Sequence, residues 1–184
     1  MQVQHYLNLK QQVIDAGYES EVAWAESDRQ CNSPDEFSRE HAFVVCNSGM
    51  KAQIAQPIFE RVWRRLNTGL AIDDSVFGNV AKRISIQYVF DNRKELFRVF
   101  RKLKDTEDKL TFLRTLPHIG PTTVYHLAKN FGVDCCKPDR HLTRIASASR
   151  ETPEQLCERL SRATGDNLAT VDMVIWRAAN LGLV

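Results

Sequence analysis

An isolated aspartate, Asp139, stands after Pro138 in the segment KPDRHLTRI, about twenty residues beyond the glycine that closes LPHIG at positions 116–120. One ionised carboxylate held beside a reacting carbon stabilises positive charge developing there and positions or deprotonates a water. A glycine-closed turn between two helices holds an anion, because amides at the start of the second helix point outward unpaired and the helix dipole favours negative charge there. The pairing suggests a chain that grips a DNA backbone and breaks a bond beside it. By itself Asp139 also reads as the N-cap of a helix beginning at Arg140, and the two roles are compatible.

The turn needs a helix on each side. Asp105 and Thr106 suit a helix start, Leu110, Leu113 and Leu116 recur at helical spacing, and Pro117 ends the run near Thr115. Gly120 permits a sharp reversal, and Pro121 suits the first position of the next helix. There Val124, Leu127, Ala128 and Phe131 form a buried stripe, leaving Thr122, Tyr125, His126 and Lys129 on the other side.

The rest of the chain reads as helical. Tyr6, Leu9 and Val13 mark a first helix ending before Gly17, and a second runs from about Phe37 to Cys46. A third extends to Asn67, with a kink or restart expected at Pro57. Ile84, Ile86, Tyr88 and Phe90 alternate as a strand would, but one strand cannot form a sheet, so a helix ending at Asp91 and Asn92 is preferred. Leu96, Phe100 and Leu103 continue as another helix. Thr152, Pro153 and Gln155 cap a further one, and the last spans roughly Asn167 to Asn180.

The 184 residues, 43% hydrophobic, suffice for one core in two lobes. Residues 1–50 carry three Lys/Arg against eight Asp/Glu, whereas the remainder carries 22 against 15, as expected of a polyanion-binding body with an acidic N-terminal segment. Arg93, Lys94, Arg98, Arg101, Lys102 and Lys104 lead directly into the turn. Cys31, Cys46, Cys135, Cys136 and Cys157 lack the paired spacing of a zinc or iron–sulfur site and read as reduced, buried thiols, so neither metal nor cofactor is expected. No apolar run is long enough for a membrane span and no secretory signal is seen, so the expectation is a cytoplasmic monomer with no membrane partner.

The order of these features resembles the helix-hairpin-helix DNA glycosylases, whose LPGxG hairpin and later VDxHxxR segment match LPHIG and KPDRHLTRI here. Over residues 38–184 the layout is closest to the small archaeal-type 8-oxoguanine DNA glycosylases. CNSGMKAQ at 46–53, Phe90 before DNRKELF, and MVIWRAANLG near the end are similar to segments of theirs. The resemblance implies an all-α fold: two helical lobes flank a DNA-binding cleft, lobe one formed by about 1–50 plus the C-terminal helices and lobe two by about 51–150.

It also implies double-stranded DNA with a damaged or modified base as partner, base flipping, and hydrolysis of the N-glycosidic bond with Asp139 as catalytic carboxylate. Phe90 and Trp176 would sandwich the base, with ordinary core packing as the alternative. Asn47, at a helix start, would fill the vacated space, while His118, Gly120, Thr122, Thr123 and Lys129 would contact the backbone. Lyase-competent members carry a lysine where this chain has Thr122, so water is the expected nucleophile, with Lys51, Lys129 and Lys137 as alternative amines. His118 replaces the first hairpin glycine. The terminal lysine with which those relatives read the base is absent, so their base specificity is not carried over. A hairpin protein that binds DNA without catalysis, and a small interaction protein whose hairpin is only a helix connector, are the other readings.

Overall fold

The structure, a computed structural model, describes residues 1–184, the side chain of Ala52 excepted. Among the described residues the chain is all-α. Its helices are α1 (Val3–Val13), α2 (Glu19–Glu26), α3 (Pro34–Asn47), α4 (Ala52–Asn67), α5 (Val80–Asp91), α6 (Arg93–Lys102), α7 (Thr106–Arg114), α8 (Thr123–Asn130), α9 (Arg140–Ala148), α10 (Pro153–Thr164) and α11 (Leu168–Asn180). A π-helical turn, Ile14–Tyr18, joins α1 to α2. Among the described residues no helix is long and apolar enough to cross a membrane.

The chain divides into two compact units, Met1–Asp28 with Asp134–Val184, and Arg29–Val133. The boundaries differ from the expected ones near residues 50 and 150, for reasons that lie in α3 and α9. On α3, Phe37 stacks on Phe131 at 4.8 Å and packs against Phe100 at 5.8 Å, which binds the helix to the second unit. On α9, Leu142, Ile145 and Ala146 enter the same core as Tyr6, Leu9 and Val13 of α1 and Leu156 and Leu160 of α10.

In the first unit, Gly17 adopts φ 90°, a left-handed angle open to glycine, and ends the run begun by α1. The sequence signal at Thr152 is a complete capping box: its hydroxyl accepts from the Gln155 amide, and the Gln155 side chain accepts from the Thr152 amide. The Asn167 side chain likewise caps α11 through the Thr170 amide. Buried Tyr6 donates to Asp166 at 2.6 Å, and Lys10 reaches the same carboxylate at 2.7 Å.

In the second unit, α4 runs through Pro57 without restarting. Proline removes one donor to the Gln53 carbonyl, but Ala55, Phe59, Val62 and Leu66 are buried along one continuous stripe, and that burial favours an unbroken helix. The alternating stretch is helical too. In α5, Lys82, Ser85, Ile86 and Val89 point inward at helical spacing, whereas Ile84 and Tyr88 are 65% and 50% exposed. The apparent strand period thus comes from apolar residues on opposite sides of a helix.

Gly132 closes α8 with φ 76°, and a Cβ there would lie inside the backbone carbonyl of Arg29. Neither the angle nor the main-chain neighbour yields cheaply. Gly132→Ala is therefore expected to cost more than about 3 kcal/mol of unfolding free energy, measured by urea titration. A loss below about 1 kcal/mol would show that the two segments separate easily.

Candidate nucleic-acid interface and carboxylate site

The basic charge is concentrated in the second unit, with 17 Lys/Arg against 11 Asp/Glu; the first carries 8 against 12. The turn between α7 and α8 belongs to this basic unit. Asp105 stands at the N-cap position of α7 without a side-chain capping bond, and the helix ends at Arg114 with Thr115 as C-cap. The expected stripe of α8 is buried, from Val124 through Leu127 and Ala128 to Phe131.

The reversal itself differs from the expectation. Gly120 does not take a left-handed angle; His118 does, with φ 67°. Histidine is among the side chains that tolerate this region, at a cost of roughly 1 kcal/mol. The Gly120 amide donates to Thr123 Oγ1 at 2.7 Å, and the Gly120 carbonyl accepts from Val124. Pro121 and Thr122 therefore form a turn ahead of the helix, and among the described residues the Thr122 amide makes no hydrogen bond. Ser48 and the residues from His118 to Thr123 line a shallow depression, and Lys129 lies on the last turn of α8.

A buried polar seat lies under the turn. The Pro117 carbonyl accepts two hydrogen bonds, from His41 Nε2 at 3.1 Å and Ser85 Oγ at 2.6 Å. His41 is fully buried, and its Nδ1 has no partner among the described residues. Lys82, 5% exposed, donates to the Ser48 carbonyl at 2.6 Å and lies 3.4 Å from the Cys46 carbonyl, so its ammonium sits on the negative end of the α3 dipole. Burial lowers the affinity of Lys82 for its proton. Burial also lowers the pKa of His118, with the nearby Lys82 charge adding to the effect. Sequence reading missed His41, Lys82 and Ser85. Their signal was present: Lys82 and Ser85 occupy inward positions of the α5 stripe beside Ile86 and Val89.

Asn47 is the last residue of α3, not the first of a helix; its side chain donates to the Phe43 carbonyl at 2.9 Å. The Asn-Ser-Gly sequence ends α3, and the next helix begins only at Ala52, so the expected helix-start position is corrected. Phe90 is partly buried, with Trp63 packed edge-on at 6.0 Å and the Arg93 guanidinium 4.1 Å from its ring centroid.

Asp139 and Trp176 belong to the first unit. Asp139 caps α9: Oδ1 accepts from the His141 and Leu142 amides, each at 2.9 Å, while Oδ2 has no hydrogen-bond partner among the described residues. The segment before it is tied to α11 at two points. Asp134 Oδ1 accepts from the Ala169 amide, and buried Asp172 accepts from the Lys137 amide, each at 3.0 Å. One turn beyond Asp172, Trp176 is 36% exposed. The Arg177 guanidinium lies 4.7 Å from the Trp176 ring and 4.1 Å from Tyr18, paired with Glu21.

Comparison of the chain with family models, curated proteins and solved structures gives no match.

Burial holds His41 neutral, its pKa lowered to about 4 despite the bond to Pro117. The folded value lies below the ordinary 6.5, so as pH falls the unfolded chain takes up a proton first. The neutral ring's stabilisation is full above pH 6.5 and is lost between 6.5 and about 4, by on the order of 3 kcal/mol. Urea titrations across this range should show a steeper loss for the wild type than for His41→Gln; matching slopes would contradict the assignment.

Proposed function

We propose that this chain is a DNA glycosylase that flips a damaged or modified base from duplex DNA and hydrolyses its N-glycosidic bond, with water as nucleophile. The observation that carries the reading is the asymmetry of Asp139. One carboxylate oxygen is held by two backbone amides, while the other is uncommitted within the protein. Such a group has a fixed direction and an oxygen available to a reacting atom. Cleavage of an N-glycosidic bond develops positive charge on the sugar, and a carboxylate beside it lowers that barrier. The same oxygen can orient the attacking water.

DNA binding in this reading falls to the basic second unit. The unpaired Thr122 amide and the polar depression around His118 suit a backbone phosphate, with Lys82 adding positive charge beneath Ser48. Two helical lobes flanking the DNA are part of the proposal. Thr122 has no amine, so an imine with the sugar does not form there. Trp176, as exposed as Trp24 of the same unit but one turn along α11 from the Asp172 that receives the Lys137 amide, suits stacking on an extruded base.

Asp139→Asn separates chemistry from capping. Asparagine caps a helix about as well as aspartate, so stability changes by less than about 0.5 kcal/mol, whereas base release falls about a hundredfold or more. The assay is a panel of duplexes bearing different lesions, with and without alkali and with borohydride trapping. Equal background release by both proteins on every duplex refutes the enzyme; salt-sensitive duplex binding without release identifies a binding module. Alkali-independent nicking with a trapped adduct would replace water by a lysine.

A further inference from the structure

The second unit contains a cavity of about 570 Å³ that shares no lining residue with the depression at the turn. Its size falls within the roughly 300–1,000 Å³ range of sites that hold small ligands. Arg39 of α3 and residues Gln56, Phe59, Glu60, Trp63, Arg64 and Asn67 of α4 line it, with Thr68. Phe59 is buried and the partly buried Trp63 is braced edge-on by Phe90, which gives the cavity a rigid aromatic lining. The Arg39 guanidinium lies 5.4 Å from the Phe59 ring centroid, half-exposed and paired with Glu40. Arg64 is exposed and makes no ion pair among the described residues.

This combination narrows the ligand. A simple anion has no use for Trp63, a cation meets two guanidinium groups against the one carboxylate of Glu60, which already accepts from Gln56 at 3.0 Å, and a wholly apolar molecule leaves a charged rim unsolvated. A planar base joined to a phosphate satisfies all parts: the ring stacks on the indole, the phosphate pairs with planar guanidinium, and Asn67 or Gln56 can bond the base edge. We propose that this cavity binds one nucleotide unit, its base stacked on Trp63 and its phosphate held by Arg64 and Arg39. A free nucleotide and a nucleotide within a single strand share this chemistry. The site does not depend on base excision and would stand if that activity were absent.

Replacing Trp24 and Trp176 by phenylalanine leaves Trp63 as the sole tryptophan of the chain's three, a direct reporter. Its emission should be quenched saturably by a short oligothymidylate or by deoxyadenosine monophosphate. Equal affinity for both identifies a free-nucleotide site, and tighter binding of the oligomer a strand site; either supports the proposal. By anisotropy of the labelled preferred ligand, Trp63→Ala should weaken binding about tenfold or more. Arg64→Ala, an exposed change that decides the matter if Trp63→Ala does not fold, should weaken binding and reduce the salt slope by about 0.7. Emission unchanged by both ligands, or an affinity indifferent to Arg64, would overturn it.

Discussion

The Pro117 carbonyl is the point on which the second unit's candidate interface rests. A backbone oxygen beneath a tight turn must be paired, and here two side chains from two helices, His41 of α3 and Ser85 of α5, meet on it. The paired carbonyl holds the chain in place one residue before His118, where the backbone enters its left-handed angle. Without those donors the carbonyl would be buried unsatisfied, at about 1–3 kcal/mol, and the turn could relax. Lys82 acts on the neighbouring segment in the same manner, binding the end of α3 to α5 through the Ser48 carbonyl. The exposed surface around the turn is thus shaped from below, by groups with little contact with solvent.

The two candidate functions are supported by different local devices. The carboxylate is oriented by a helix start, since the amides that fix Oδ1 belong to the first turn of α9. The turn is oriented by a shared acceptor. In the first unit, α11 contributes both the Asp172 carboxylate that receives the Lys137 amide and, one turn later, the exposed Trp176. An aromatic surface and the approach to Asp139 are therefore set by a single rigid element.

Local signals in the sequence reached most of the helices. The capping box at Thr152, the stripe from Val124 to Phe131 and the break at Gly17 depend on neighbours a few residues away, and such patterns survive folding. Long-range context decided the rest. Pro57 reads as a break unless the stripe from Ala55 to Leu66 is known to be buried, and Ile84 with Tyr88 reads as a strand unless their outward direction is known. Asp139 and the turn were visible as motifs, but the polar seat was not, because His41 lies far from Pro117 in sequence. The glycine-centred picture of the turn misplaced the left-handed residue for a related reason: glycine permits such an angle without requiring it.

The division of the chain also bears on how it folds. The second unit is one continuous segment, whereas the first is built from both ends of the described chain. Contacts of α1 with α10 and α11 have large sequence separation, and closing so long a loop is entropically costly before any contact repays it. On the ribosome, the inserted unit is synthesised complete while α1 and α2 still lack their packing partners. A prefolded insert shortens the effective loop, making its folding the natural first step, and leaves the apolar face of α1 in need of shelter until α10 and α11 emerge.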